Sequence, residues 1–216
     1  MLRFFESISR REMNLFNIGV NCCRYVFGTI YDCEVIGELN IPKDGACLVA
    51  SNHVSFFDPP LAGIWIQRPI HFFARKTLFY NNKGHILEGL NTIPVDRDGD
   101  SDVGAFRKVL ALLKAGEVVG IFPEGTRSTN GVIQSAKRGV GMMACRAAVP
   151  VVPARVFGTF EAWGKGKPLR FDVPLRVIYD RPIYPQDFDP GENDPNRYQV
   201  AADRILQAIA KIAYKS

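Results

Sequence analysis

The 216-residue chain carries 27 Lys and Arg against 22 Asp and Glu, a formal charge of +5 at a sequence pI near 9.0, on a 47% hydrophobic composition. That balance excludes a long disordered or acidic solvating protein and favours anionic partners such as phosphorylated metabolites, lipid headgroups or nucleic acid. The length suits one domain with a substantial core. Its five cysteines (Cys22, Cys23, Cys33, Cys47 and Cys145) are odd in number, lack CxxC spacing and sit mostly in apolar surroundings. They read as reduced core residues of an intracellular protein rather than a disulfide framework or zinc site.

In chain order, residues 2–31 place Phe4, Ile8, Leu15, Ile18, Cys22 and Tyr25 at helical spacing, with Arg3, Arg10, Arg11 and Arg24 elsewhere. This predicts an amphipathic helix or helix pair, which either lies in a membrane interface or packs on its own core. Asn14, Asn17, Asn21 and Arg24 interrupt the segment, so it is not expected to span a bilayer, and no small-residue cleavage site follows it. "YDCEVIGELNIP" predicts a strand ending in the turn Pro42–Gly45, and "ACLVASN" a buried strand. Asp58-Pro59-Pro60 then signals a helix start, with Asp58 as N-cap.

"HFFARKTLF" predicts a short strand or turn, and "GLNTIPVDRD" a further strand. Ser101 is placed to cap a helix that turns Val103, Phe106, Val109, Leu110 and Leu113 to one face and ends at Gly116. "EVVGIFPEGTRS" is an apolar strand entering a polar, glycine-bearing turn, and "AKRGVGMMACRAA" is a helix. In "VPVVPARVFG" the prolines argue for a sheet edge or strand end. "LRFDVPLRVIYDRPI" predicts a late strand or hairpin, and "NRYQVAADRILQAIAKIAYK" a closing helix. The alternation implies an α/β fold: residues 32–216 as a single domain with a mixed, largely parallel sheet flanked by helices, preceded by the amphipathic helical segment 1–31.

Three polar clusters, His53 to Asp58, Asp96-Arg97 and Glu124 to Ser128, each follow an apolar strand. Sites in open α/β sheets form beyond the C-terminal strand ends, so these clusters are expected to converge. A His and an Asp in one loop suit a base and its orienter, although a strand-end His and a helix-capping Asp serve structure equally well. No GxSxG elbow or recognisable cysteine nucleophile accompanies them, which leaves a substrate hydroxyl or water to be activated. Arg97 and Arg127 suit phosphate binding by their planar guanidinium groups, with Lys76 and Lys137 as further charges. There is no P-loop and no GxGxxG fingerprint, and "GKGKP" at 164–168 is only a basic, glycine-bearing loop. Neither a metal nor nucleic acid is implied.

Taken together, "NHVSFFD", "GLNTIPVDR", "FPEGTRS" and "VPVVPA" resemble, in order and approximate spacing, the four sequence blocks of the glycerolipid acyltransferases. The likeness covers roughly residues 34–180 and is nearest to the bacterial 1-acylglycerol-3-phosphate (lysophosphatidic acid) acyltransferases. The resemblance implies His53 as general base, Asp58 as its orienting partner, and direct attack by a lysophospholipid hydroxyl on acyl-CoA or acyl carrier protein, with no cofactor or metal. It assigns Arg97, Glu124, Gly125, Thr126 and Arg127 to the acceptor phosphate, with Lys137 and Lys76 as further basic candidates. Pro150 and Pro153 would shape the wall of the site. Ile93-Pro94-Val95-Asp96 departs from the pattern before the arginine, which opens the headgroup to alternatives: glycerol 3-phosphate or another lysophospholipid. A non-catalytic anionic-lipid-binding protein is the alternative from a different class. The resemblance also favours the membrane surface over core packing for residues 1–31, and so a peripheral or monotopic protein on the cytoplasmic face.

Overall fold

The computed structural model describes residues 15–79, 91–95 and 103–214. Helix α1 (Leu15–Thr29) leads into β1 (Cys33–Ile36), and β2 (Cys47–Ser51) is followed by α2 (Asp58–Gly63). After β3 (Ile70–Arg75) comes a short 3₁₀ turn (Lys76–Phe79), then β4 (Thr92–Val95) and α3 (Val103–Lys114). β5 (Val118–Ile121), α4 (Arg138–Ala147), β6 (Val151–Phe157) and α5 (Thr159–Trp163) follow. β7 (Leu175–Tyr179), α6 (Pro185–Phe188) and α7 (Arg197–Lys211) complete the described fold.

The strands form one seven-stranded sheet in the order β1-β7-β6-β2-β5-β3-β4. Every pairing is parallel except β6 with β7. The α/β expectation of a mixed, largely parallel sheet is therefore met. β2 and β5 are buried at every residue, because helices cover both faces of the central strands and no polar face is left to alternate. One core cluster joins α1, α2 and α5 to one face through residues such as Phe27, Leu61 and Ala162. The other joins α3, α4 and α7 to the opposite face through Val109, Ala144 and Ile205. Where α4 meets α7, a Cβ on Gly141 would stand 1.8 Å from the Tyr198 carbonyl oxygen. Only glycine lets the two backbones approach so closely.

Three local expectations change. β6 is not a sheet edge, since it lies between β7 and β2. Pro153 fits there because its carbonyl accepts Asp180 N–H just past the end of β7, at 2.8 Å. A residue's N–H and C=O face the same neighbour, so the missing donor falls where that ladder stops. Pro94 does occupy an edge strand, β4. In α3 the buried stripe is Ala105, Val109 and Leu113, while Val103 is exposed; Ser101 lies outside the described residues.

The third change concerns Cys22 of α1, read from sequence as a core residue. The stripe read as its apolar face, Ile18, Cys22 and Tyr25, points to solvent. The core is met by Val20, Cys23 and Phe27 instead, one step round the helix. Arg24 fastens this inner face by donating from Nε to the Ile64 carbonyl at 2.5 Å. Both inner and outer faces are thus apolar, because the helix packs on the domain and still exposes a hydrophobic stripe. Cys22 is accordingly exposed rather than a core residue.

Candidate active site

β2 and β5 are parallel neighbours, so the loops that leave them emerge side by side at one edge of the sheet. His53 and Asp58 ride on the first loop, and Phe122 to Ser128 on the second. Ser128 N–H donates to the His53 carbonyl at 2.8 Å, which closes one loop onto the other. The expected convergence of the first and third clusters is present. Arg97 belongs to a segment following β4, three strand positions from β2; it lies outside the described residues.

The His53 loop is immobilised from three sides. Asn52 exchanges two hydrogen bonds with Val156 of β6, at 2.9 and 3.2 Å. His53 stacks on Phe122 with ring centroids 4.1 Å apart and planes 20° from parallel. Its Nδ1 lies 2.9 Å from Asp58 Oδ2. Asp58 is fully buried, and the same oxygen accepts Val54 N–H and Ser55 N–H at 2.6 Å each. With two backbone N–H groups donating to it, Asp58 Oδ2 is an acceptor, and a His53 ring that donates to it from Nδ1 keeps Nε2 as its free nitrogen. Asp58 is not the N-cap expected of it. Phe57 caps α2 and Asp58 is its first helical residue, with its carboxylate turned back onto residues 53–55.

Glu124 is 1% exposed, and its two oxygens accept His53 N–H and Gln134 N–H, each at 2.7 Å. Burial raises its pKa, opposed by those two backbone donors. The carboxylate assigned to the acceptor is thus engaged with the protein's own main chain. Gly125 and Thr126 are exposed at the loop tip. Gly125 adopts φ +68°, the left-handed region open to glycine, and a Cβ there would meet Lys137 Cγ at 3.2 Å. Lys137 is exposed at the start of α4, and its N–H donates to the Pro123 carbonyl at 2.8 Å. Arg127 is half-buried, with Cζ 3.5 Å above the Phe56 ring. Among the described residues no acceptor meets its buried Nη1. Burial lowers its pKa, while the charge of Asp58 opposes the shift. Lys76 is exposed at the start of the 3₁₀ turn after β3.

Residues 32–156 match the family model described as Acyltransferase, a span that contains all four blocks. The chain belongs to the acyltransferase family. It is 30% identical over 205 residues to a Bacillus subtilis 1-acyl-sn-glycerol-3-phosphate acyltransferase, covering 93% of this chain and 98% of that one. It is 31% identical over 158 residues to the chloroplastic 1-acyl-sn-glycerol-3-phosphate acyltransferase BAT2 of Brassica napus, covering 71% of this chain and 46% of that one. The crystal structure of the 1-acyl-sn-glycerophosphate (LPA) acyltransferase PlsC from Thermotoga maritima superimposes with a TM-score of 0.67 at 26% identity, over 93% of this chain and 80% of that chain.

Several residues of this acyltransferase that shape the site carry no motif of their own. Phe122 supports the His53 ring, Gln134 takes the second oxygen of Glu124, and Ser55 donates from its hydroxyl to the Trp163 carbonyl at 2.8 Å. Gln134 and Trp163 stand far from the His53 loop along the chain, and nothing in their local sequence marks them. Phe122 and Ser55 lie within the quoted blocks, but their residue types suit core packing or a turn equally well.

Proposed function

We propose that this acyltransferase moves a fatty acyl group from acyl-CoA or acyl carrier protein to the free hydroxyl of lysophosphatidic acid, giving phosphatidic acid. The supporting observation is the buried His53–Asp58 pair at 2.9 Å; with Nδ1 donating to the carboxylate, Nε2 serves as the proton acceptor. His53 takes the hydroxyl proton as the oxygen attacks the thioester carbonyl carbon. The new C–O bond forms, the C–S bond breaks, and the imidazolium returns its proton to the departing thiolate. Buried, ionised Asp58 stabilises the transient imidazolium and holds the ring in one orientation. No covalent acyl-enzyme enters this scheme, and His53, Asp58 and the two substrates account for every atom and proton moved.

Arg127 is assigned to the acceptor phosphate, because its guanidinium is held over the Phe56 ring beside the exposed tip of the second loop. Arg97, Lys137 and Lys76 are proposed as further phosphate contacts, with the exposed backbone of Gly125 and Thr126 beside them. Glu124 is reassigned in this reading from the acceptor to positioning His53. The exposed stripe of α1, together with residues 1–14, would rest in the membrane interface as a peripheral or monotopic element on the cytoplasmic face. Among the described residues no helix is long and apolar enough to cross a membrane.

Release of thiol from an acyl thioester, measured with lysophosphatidic acid, glycerol 3-phosphate and other lysophospholipids, tests the assignment. Preferred turnover of lysophosphatidic acid is expected. Equal or better turnover of another acceptor would replace it, and release without any acceptor would point to hydrolysis.

A further inference from the structure

Residues 164–171, "GKGKPLRF", lie in the loop between α5 and β7 and contribute nothing to the His53–Asp58 pair. It is nevertheless fastened to the loop that carries them. Gly164 forms an isolated antiparallel bridge with Ser55, and Arg170 N–H donates to the Ala162 carbonyl at 2.8 Å. On the other flank Tyr31, just past α1, donates its hydroxyl to the Arg170 carbonyl at 2.9 Å, and its ring lies 6.0 Å from that of Phe171.

The loop's outer surface is apolar at its centre. Phe171 is 56% exposed and Leu169 42%, while Phe56 on the catalytic loop is 49% exposed. Phe171 and Phe56 are the two ends of one run of ring contacts, through Tyr31, Phe57 and Trp163 at centroid distances of 4.8 to 6.0 Å. Scattered exposed hydrophobics are ordinary on a soluble protein, but exposed rings tied together by one run of packed rings, with an exposed leucine on the same loop, mark a contact surface. The same loop carries basic side chains: Lys165 and Lys167 are exposed, with Lys167 Nζ 4.0 Å above the Phe160 ring. Arg170 is paired with Asp172 at 2.6 Å, whereas neither lysine has an acidic partner among the described residues. The free charge of the loop is positive. Aromatic and leucine side chains beside exposed ammonium groups match the layering of a bilayer surface, acyl boundary beneath anionic phosphates.

We propose that residues 164–171 form a docking element for an anionic bilayer surface, separate from the N-terminal helix, which presses the His53 loop towards the lipid. The benefit to turnover rests on the acceptor being a lipid, as proposed above, but the binding itself does not. Flotation of the full chain is measured with vesicles of phosphatidylcholine alone and of phosphatidylcholine with phosphatidylglycerol. Lys165→Ser/Lys167→Ser is expected to lower partition onto the anionic vesicles about 25-fold, about fivefold for each lysine, and to leave the neutral ones unaffected. Leu169→Ser/Phe171→Ser is expected to lower partition onto both. Lys43→Ser/Lys114→Ser, at the opposite end of the sheet, is the charge-matched control and should change little.

Unchanged partition of both loop variants, or an equal loss in the control, overturns the proposal. So does loss of self-association in their place, read by light scattering, which would reassign the patch to a second copy of the chain. Thiol release with short-chain, water-soluble substrates is followed in parallel: retained turnover in the loop variants shows that the site is folded. Absent turnover in the unmodified chain would count against the acyltransferase assignment without touching the vesicle result.

Discussion

Glu124 Oε1 accepts the backbone N–H of His53 at 2.7 Å, so the third sequence block holds the first by its main chain. Glutamine at this position keeps the shape but offers one acceptor oxygen to two converging N–H donors. Glu124→Gln is therefore expected to cost about 1–3 kcal/mol of stability. It should lower kcat more than it raises the acceptor KM, since His53 is displaced while the phosphate contacts remain. An unchanged kcat with a raised KM would return Glu124 to the acceptor site.

The raised pKa of Glu124 has a signed consequence for stability. The folded protein keeps this proton to higher pH than the unfolded chain, so the native state binds more protons between the ordinary carboxylate range and the folded value. Stability from this group falls as pH rises through that window and levels off above it. Urea unfolding from about pH 4 to about pH 8 should show the decline, and Glu124→Gln should flatten it. A slope unaltered by the substitution would refute the attribution.

His53→Ala should lower turnover about 10²–10⁴-fold with the fold retained, as expected for loss of a general base. Asp58→Asn keeps an acceptor oxygen for Val54 and Ser55 N–H but removes the charge opposite the imidazolium. A large fall in kcat with little change in KM is expected. Asp58→Ala should in addition lose stability, because two buried N–H groups are stranded. Circular dichroism melting separates the two effects; comparable melting losses in both variants would assign Asp58 a structural role alone.

Arg127 is held over the Phe56 ring, which places the guanidinium rather than a mere positive charge. Arg127→Ala should raise KM for a phosphate-bearing acceptor about 10- to 100-fold, the equivalent of losing a charge-assisted hydrogen bond. Arg127→Lys should recover only part of this, since a lysine cannot reproduce the guanidinium's contact with the ring or its fork of donors. Steady-state kinetics with the acceptor varied decide the point; full recovery by lysine would reduce the requirement to charge.

Gly120 in β5 faces Phe72, and a Cβ there would stand 2.2 Å from Phe72 Cε1. Phe72 stacks on Phe122, and Phe122 on His53. Gly120→Ala should thus cost about 1–3 kcal/mol through overpacking and reduce kcat from a position that touches no substrate. Chemical denaturation together with kcat measures both; a stability loss without any kinetic change would break the proposed relay of rings.

Much of this protein was determined by local sequence. Alternating apolar runs and helical spacings made the α/β class legible, and "NHVSFFD" with "FPEGTRS" marked the two loops that meet. Local chemistry could also identify a histidine and an aspartate close enough to pair. What it could not assign was direction. Asp58 stands at a helix start by every sequence rule, yet its carboxylate turns back to residues 53–55, because buried Val54 and Ser55 N–H groups offer stronger partners than the ends of a short helix. The resemblance assigns Glu124 to the acceptor, and only the adjacency of β2 and β5 reveals that its carboxylate accepts His53 N–H at 2.7 Å. Periodicity found the outer stripe of α1 but left open whether it meets the domain or a membrane surface, because it gives the angle between residues and not which angle meets the core. Only packing through Phe27 and Arg24 decides that. Those choices depend on partners many strands away, and strand order is a property of the whole sheet.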